Sequence, residues 1–253
     1  SNGQGNKALQ LYSHMVKKLA RVSYITVLYM LQACSEMGQL DTCLQLHSYA
    51  VCGGYDSVLS LSTSLIHAYG SFASMSDAHA IFDIIPSPQL SMWTSCIAGY
   101  ARAGNSLLTL FMLENLCLTG LKPNKVTLTS VLSACSRAGL VMGGIEYFHS
   151  LSRDSGICPT LTHYSILLDL FGRAGDFKRV TDLVEHMPKE PNLMTWLCLL
   201  GACRLHDNLD LGKRAFHHAI NLEPMKAVAY VLMSNICARD NNLQTSGENR
   251  IHA

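Results

Sequence analysis

Apolar residues recur along most of this chain at the spacing of an amphipathic helix. From Lys125, the side chains Leu128, Val131, Leu132 and Cys135 fall at i, i+3, i+4 and i+7, one stripe of a 3.6-residue helix. A little further on, Ile145, Phe148 and Leu151 keep a three-residue rhythm. This predicts two short helices in succession, each with one apolar face. Neither can bury that face alone, so each needs neighbours of the same kind.

The neighbours are present, because the pattern repeats. LQACSEMGQL from Leu31, LSACSRAGLV from Leu132 and LGACRLHDNL from Leu200 are copies of one another. LIHAYGSFAS from Leu65, IAGYARAGNS from Ile97 and LLDLFGRAGD from Leu167 are copies with an aromatic in place of the Cys. In register, they divide the chain into unequal segments: 24–58, 59–89, 90–124, 125–160, 161–192 and 193–226. Residues 1–23 read as the end of an earlier segment, and residues 227–253 begin another that fails in a polar tail.

Three markers hold the register. Gly stands fifteenth in four segments (Gly38, Gly104, Gly139, Gly175), and Pro stands next to last in four (Pro88, Pro123, Pro159, Pro191). An aromatic stands fourth in four (Trp93, Tyr164, Trp196, Tyr230). Gly permits the left-handed backbone that ends a helix, and Pro cannot continue one. Each segment therefore reads first helix, tight turn, second helix, Pro-containing loop. Stacked, the segments predict an all-α fold, a right-handed α-α superhelical solenoid of helix-turn-helix repeats with a concave groove. The tail DNNLQTSGENRIHA has no apolar period and is expected to fray.

Composition sharpens this picture. The 253 residues are 49% hydrophobic and 15% charged, enough to bury a large core. No run of about 18 residues is apolar enough to read as a membrane span. The ten Cys are spread out with no CxxC pair and read as reduced thiols of an intracellular or organellar compartment. Cys34, Cys135, Cys203 and Cys237 stand eleventh in their segments, where Tyr69, Tyr100 and Phe171 stand elsewhere, so that position reads as core rather than as a metal site. No signal or transit peptide pattern opens the chain, which reads as beginning inside a repeat. A net charge of +1 is low for a non-specific nucleic-acid binder.

GLKPNKVTLTSVLSACSRAGL from Gly120, HYSILLDLFGRAGD from His163 and TWLCLLGACRLHDNLDLGKRA from Thr195 resemble the plant pentatricopeptide-repeat family. The resemblance extends to about Asn242. Unequal lengths, and no WxxLGxxY pattern, set the chain apart from tetratricopeptide arrays. The length alternation resembles the subclass with P, L and S repeats. On that resemblance 24–58 is an L, 59–89 an S, 90–124 a P, 125–160 an L and 161–192 an S repeat. Residues 193–226 are similar to a first E motif, and 227–253 to a truncated second E motif and tail.

The resemblance implies binding of single-stranded RNA, about one base per repeat. In the family, the fifth and last residues of a repeat hydrogen-bond a base and the second packs on its face. Carried over, the reading pairs are Thr94 with Asn124, Ser165 with Asn192, Thr129 with Thr160, and Thr63 with Gln89. The first two resemble the family's adenine pairing, giving A, any base, then A opposite residues 90–192. Leu28 and Val58 cannot hydrogen-bond through their side chains. The base-packing positions are Ser91, Val126, Thr162 and Met194. Thr, Ser and Asn near helix starts are also ordinary caps, and that reading stands beside the base-reading one.

The resemblance further implies a site-recognition factor of C-to-U RNA editing in a mitochondrion or chloroplast. Its E region, with Trp196 and Tyr230, would engage a deaminase or another editing factor in trans. Two alternatives remain: an organellar factor for RNA stability, splicing or translation, and a protein-binding scaffold of tetratricopeptide type. Deamination by this chain itself would need HxE and PCxxC segments, and the sequence has neither. With no P-loop, GxSxG or Rossmann glycine pattern, the expectation is a protein that is not an enzyme and needs no cofactor or metal. His217 and His218 are adjacent on a helix and point apart. Asp176, Asp182 and Glu185 read as solvated charges. The pairs Lys178–Arg179 and Lys213–Arg214, and the group Lys17, Lys18 and Arg21, read as solvated faces or phosphate contacts.

Overall fold

The computed structural model describes residues 23–55 and 58–251. Residues 1–22, with Lys17, Lys18 and Arg21, lie outside the described residues. Every regular element among the described residues is a helix. They come in pairs: α1 (Tyr24–Met37) and α2 (Leu40–Cys52), α3 (Leu59–Ser71) and α4 (Met75–Asp83), α5 (Leu90–Arg102) and α6 (Ser106–Leu118). Then follow α7 (Lys125–Ala138) and α8 (Val141–Asp154), α9 (Leu161–Arg173) and α10 (Phe177–Glu185), α11 (Leu193–Leu205) and α12 (Leu209–Leu222), and finally α13 (Ala227–Ile251).

One turn geometry joins the helices of every pair. The fifteenth residue is left-handed in all six segments: Gly38, Gly104, Gly139 and Gly175 at φ 69 to 77°, but also Ala73 at 58° and Asp207 at 53°. The next residue's N–H donates to the carbonyl of the eleventh, as in Gln39 to Cys34 and Asn208 to Cys203 (3.1 and 3.0 Å). This is the six-to-one bond of a Schellman motif. The same following residue starts the second helix. Asn105, Asp176 and Asn208 each accept, through Oδ1, the backbone N–H three residues on. The turn thus satisfies the orphan groups of both helices at once.

Contacts divide the chain into two units, residues up to Ala134 and residues from Cys135. In the first, α1 packs on α3 and α3 on α5, while α2, α4 and α6 each pack on the first helix of their own pair. In the second, α9 packs on α11 and α11 on α13, with α10 and α12 behind their own first helices. The eighth position supplies the centre of each interface: Leu31, Ile66, Ile97, Leu132 and Leu200 are fully buried, and Leu168 nearly so. The eleventh position is core as well, with Cys34, Cys135 and Cys203 fully buried and Tyr69, Tyr100 and Phe171 close to it. Cys237 is only half-buried.

Two of the buried aromatics have a partner that the repeat alignment does not reveal. The Tyr69 hydroxyl meets His47 Nδ1 of the preceding second helix at 2.8 Å, and Tyr100 meets His79 Nδ1 at 2.9 Å. Burial lowers the His47 pKa, which favours a neutral ring that accepts the phenol proton. Fourth-position aromatics also pack on rings: Trp93 on Phe82, Tyr164 on Phe148 and Tyr230 on Phe216, at 4.6, 5.5 and 5.2 Å between centroids.

One expectation needs correction. The backbone stays helical through the polar stretch after Arg239 to Ile251. That stretch contains no Pro, and its single Gly247 does not interrupt a helix that α11 and α12 already anchor.

Candidate nucleic-acid interface

The candidate reading residues sit on the first helices and in the loops just before them, so the helix starts decide their geometry. Asn124 caps α7: its Oδ1 accepts the Val126 N–H at 2.9 Å, the Thr127 N–H at 3.0 Å and the Thr127 hydroxyl at 3.2 Å. In return the Asn124 N–H donates to Thr127 Oγ1 at 3.3 Å. Asn192 caps α11 in the same way, accepting the N–H and the hydroxyl of Thr195, both at 3.0 Å. The capping role weighed against base reading is therefore real in both asparagines.

The cap also fixes which end of each amide is left to donate: with Oδ1 committed to the helix start, Nδ2 remains as the donor. In Asn124 it donates to Thr94 Oγ1 at 3.4 Å. Thr94 Oγ1 lies 3.4 Å from Thr127 Oγ1, and Ser165 Oγ lies 2.9 Å from Thr195 Oγ1. Each of the two Asn-containing pairs is thus a triad of fifth-position hydroxyl, third-position Thr of the next repeat, and last-position Asn. Thr127 and Thr195 are fully buried. Sequence reasoning passed over these two threonines, although the signal was there: N-x-x-T recurs at 124–127 and 192–195.

Access differs between the triads. Thr94, carried over as a base-reading residue, is only 8% exposed. It packs on Thr127 and lies under the Asn124 amide, so Asn124, half-buried, is the reachable member. Ser165 is half-buried and Asn192 is exposed.

The remaining candidates sit in other surroundings. Thr63 and Thr129 donate their hydroxyls to their own helix, to Leu59 O at 2.8 Å and Lys125 O at 2.9 Å. The repeat after Thr63 has Met92 at its third position, which offers no hydroxyl. Gln89 is exposed and starts α5 without a side-chain cap. The Thr160 N–H donates to Nδ1 of the buried His163 at 2.9 Å, closing a local cap. Ser91, Val126, Thr162 and Met194 are all exposed, Val126 at 54% and Met194 at 60%.

Trp196 is covered: His218 stacks flat on it at 4.2 Å and 6°. It is buried rather than offered to a partner. Tyr230 is 47% exposed and donates to Pro224 O at 2.8 Å. Arg179 pairs with Asp176 at 3.1 Å, whereas Lys213 and Arg214 are exposed. Among the described residues no group of three or more His, Cys, Asp or Glu is arranged to hold a metal, and no helix is long and apolar enough to cross a membrane.

Paired helices whose first members stack on one another define an all-α helical-repeat solenoid. Three stretches of it, residues 91–114, 126–155 and 162–191, match the PPR repeat model. A mitochondrial pentatricopeptide repeat-containing protein of Arabidopsis thaliana is 32% identical over 251 residues, covering 98% of this chain and 36% of that protein. The chloroplastic pentatricopeptide repeat-containing protein CRR2 of Arabidopsis thaliana is 34% identical over 239 residues, 94% of this chain and 36% of that protein. The chain therefore spans about a third of the length of these relatives. In fold it is similar to PPR10 in the crystal structure with an 18-nt psaJ RNA element, at TM-score 0.62 and 21% identity, over 97% of this chain and 37% of that one. It is also similar to nuclear proteinaceous RNase P 2 of A. thaliana, at TM-score 0.53 and 18% identity, over 67% of this chain and 39% of that one.

Proposed function

We propose that this chain binds single-stranded RNA by sequence in a mitochondrion or chloroplast, and that it serves as a site-recognition factor for C-to-U editing. The observation that carries the RNA reading is the repeated triad. Thr94–Thr127–Asn124 and Ser165–Thr195–Asn192 each hold an amide donor in a fixed orientation beside exposed base-packing positions. An amide donor and a hydroxyl suit the adenine edge, which has both a donor and an acceptor. Two such sites, with the Thr129 repeat between them, match an RNA reading A, any base, then A. PPR10 was crystallised with an RNA element, and the two relatives are organellar, which supports the same reading.

The editing role rests on the L, S, P, L, S order of residues 24–192, followed by E-like motifs at 193–226 and 227–253. A deaminase would act in trans. The covered Trp196 favours a second reading, in which the same face serves RNA stability, splicing or translation without recruiting an editing partner.

The test is binding of short RNAs carrying A-x-A or G-x-G across a salt series. An RNA binder loses affinity as salt rises. Asn192→Asp keeps a good cap but turns the remaining donor into an acceptor. It is expected to weaken A at that base by ~1–3 kcal/mol relative to G. No RNA affinity at any salt would leave a protein-binding scaffold instead.

A further inference from the structure

In every one of the six segments the eleventh residue, on the first helix, and the twentieth, on the second, are both buried. The shared turn sets the distance between them, because its left-handed fifteenth residue and its six-to-one bond recur in all six. Two segments with Cys eleventh and Gly twentieth give that distance. A Cβ on Gly144 would lie 3.5 Å from Cys135 Cβ, and a Cβ on Gly212 would lie 3.6 Å from Cys203 Cβ. The two Cβ atoms of a disulfide stand about 3.5–4.5 Å apart.

Only the segment 24–58 has cysteine at both positions, Cys34 and Cys43. The twentieth residue elsewhere is Ala78, Thr109, Gly144, Val180 or Gly212. Both cysteines are free thiols and fully buried. Burial pushes the Cys43 thiol up to about 12, and the neighbouring Cys34 thiol adds to the rise, as it does for two thiols side by side. Cys43 also stands one turn before His47 on α2, and His47 meets the Tyr69 hydroxyl of the next segment at 2.8 Å.

We propose that Cys34 and Cys43 are a dithiol–disulfide site, oxidised by exchange with a small organic disulfide of the glutathione type, whose bond staples α1 to α2. One protein thiol loses its proton and attacks the small disulfide, displacing one thiolate and leaving a mixed disulfide. The second then loses its proton and attacks the protein sulfur, displacing the other thiolate. One S–S bond breaks in the reagent and one forms in the protein, and the two protons leave on the two released thiols. The protein gives up two electrons and the small disulfide takes them. Buried thiols are slow nucleophiles, so exchange proceeds through local opening of the helix pair. Closing returns both sulfurs to the core, where the fold already sets the spacing that the bond needs. The staple also steadies α2 where His47 meets Tyr69.

The experiment equilibrates the full chain in glutathione buffers from reducing to oxidising, quenches with acid, unfolds, alkylates and maps the cysteines by mass spectrometry. Oxidising buffer is expected to yield a linked Cys34–Cys43 peptide, the two residues losing alkylation together, and dithiothreitol to reverse it. The exposed Cys52, Cys117 and Cys158 should take up glutathione in the same samples, which verifies that the buffer oxidises. Oxidation should raise Tm by a few degrees, because the bond restricts the unfolded chain. Cys43→Ala, which places there the residue that the next segment has in Ala78, should fold and show no such rise. Glutathione on the exposed cysteines with no Cys34–Cys43 bond would overturn the proposal. So would a bond that lowers Tm, since the folded pair would then not accommodate it.

Discussion

The Asn–Thr cap before α7 can be dissected with a single isosteric change. Thr127→Val keeps the shape of a fully buried side chain and removes only its hydroxyl. Three contacts go with it: the donation to Asn124 Oδ1 at 3.2 Å, the acceptance of the Asn124 N–H at 3.3 Å and the approach to Thr94 at 3.4 Å. All three are long, so none is worth the upper end of the usual range. The loss that matters is the half-buried Asn124 N–H, left without its acceptor, which costs about 1–2 kcal/mol. The backbone N–H of Thr127 still reaches Asn124 Oδ1 at 3.0 Å, so the helix keeps half its cap. Asn124→Ala removes the other half and should cost about 1 kcal/mol. Because the two residues serve each other, the double variant should be less unstable than the two losses added, with a coupling of about 1 kcal/mol. Urea denaturation read at constant slope gives all three values as midpoint shifts. An unchanged midpoint in Thr127→Val, or strict additivity in the double variant, would refute the reciprocal cap.

Other perturbations probe the rest of the fold. Ala73 sits at φ 58°, so Ala73→Gly should stabilise by about 0.5–1 kcal/mol, the left-handed strain relieved exceeding the extra chain entropy, seen as a rise in Tm. Gly99→Ala should destabilise by about 1–3 kcal/mol in the same assay, because the new methyl would lie 2.6 Å from Met75 Sδ and 3.3 Å from Gly70 Cα. Burial pushes the Cys34 and Cys135 thiols up to about 11 and those of Cys43, Cys96 and Cys203 up to about 12. Their folded values lie above the unfolded ones, so this contribution is complete below the ordinary thiol range, about 8.5, and is lost as pH climbs from there toward 11–12. Stability by urea titration should fall across that window, and iodoacetamide at neutral pH should label the exposed Cys52, Cys117 and Cys158 while sparing the five buried thiols.

The fold was legible because three unrelated residue types, Gly, Pro and an aromatic, mark the same period. The turn was legible only in part. Gly38, Gly104, Gly139 and Gly175 announce the left-handed residue and Asp207 tolerates it, whereas Ala73 adopts it with nothing in its identity to say so. At the interface, position alone named Asn124 and Asn192 correctly as helix-start residues. It could not show that Thr127 and Thr195 meet Thr94 and Ser165, because those contacts join one repeat to the next. Nor could it show that Thr94 is buried, since an identical residue at the same position, Thr129, turns instead to its own helix.

The Tyr69–His47 and Tyr100–His79 bonds carry a consequence for rearranging this array. A phenol at the eleventh position is fully satisfied only when the preceding module brings an imidazole. Transplanting the repeat that contains Tyr100 behind a neighbour lacking that histidine would strand a buried hydroxyl, at a cost of about 1–3 kcal/mol. A module with Cys in that place carries no such demand and could follow any neighbour of suitable volume. Shuffling of repeats, by recombination or by an engineer, is thus constrained by matched pairs across the seams as well as by the bases each unit is meant to read.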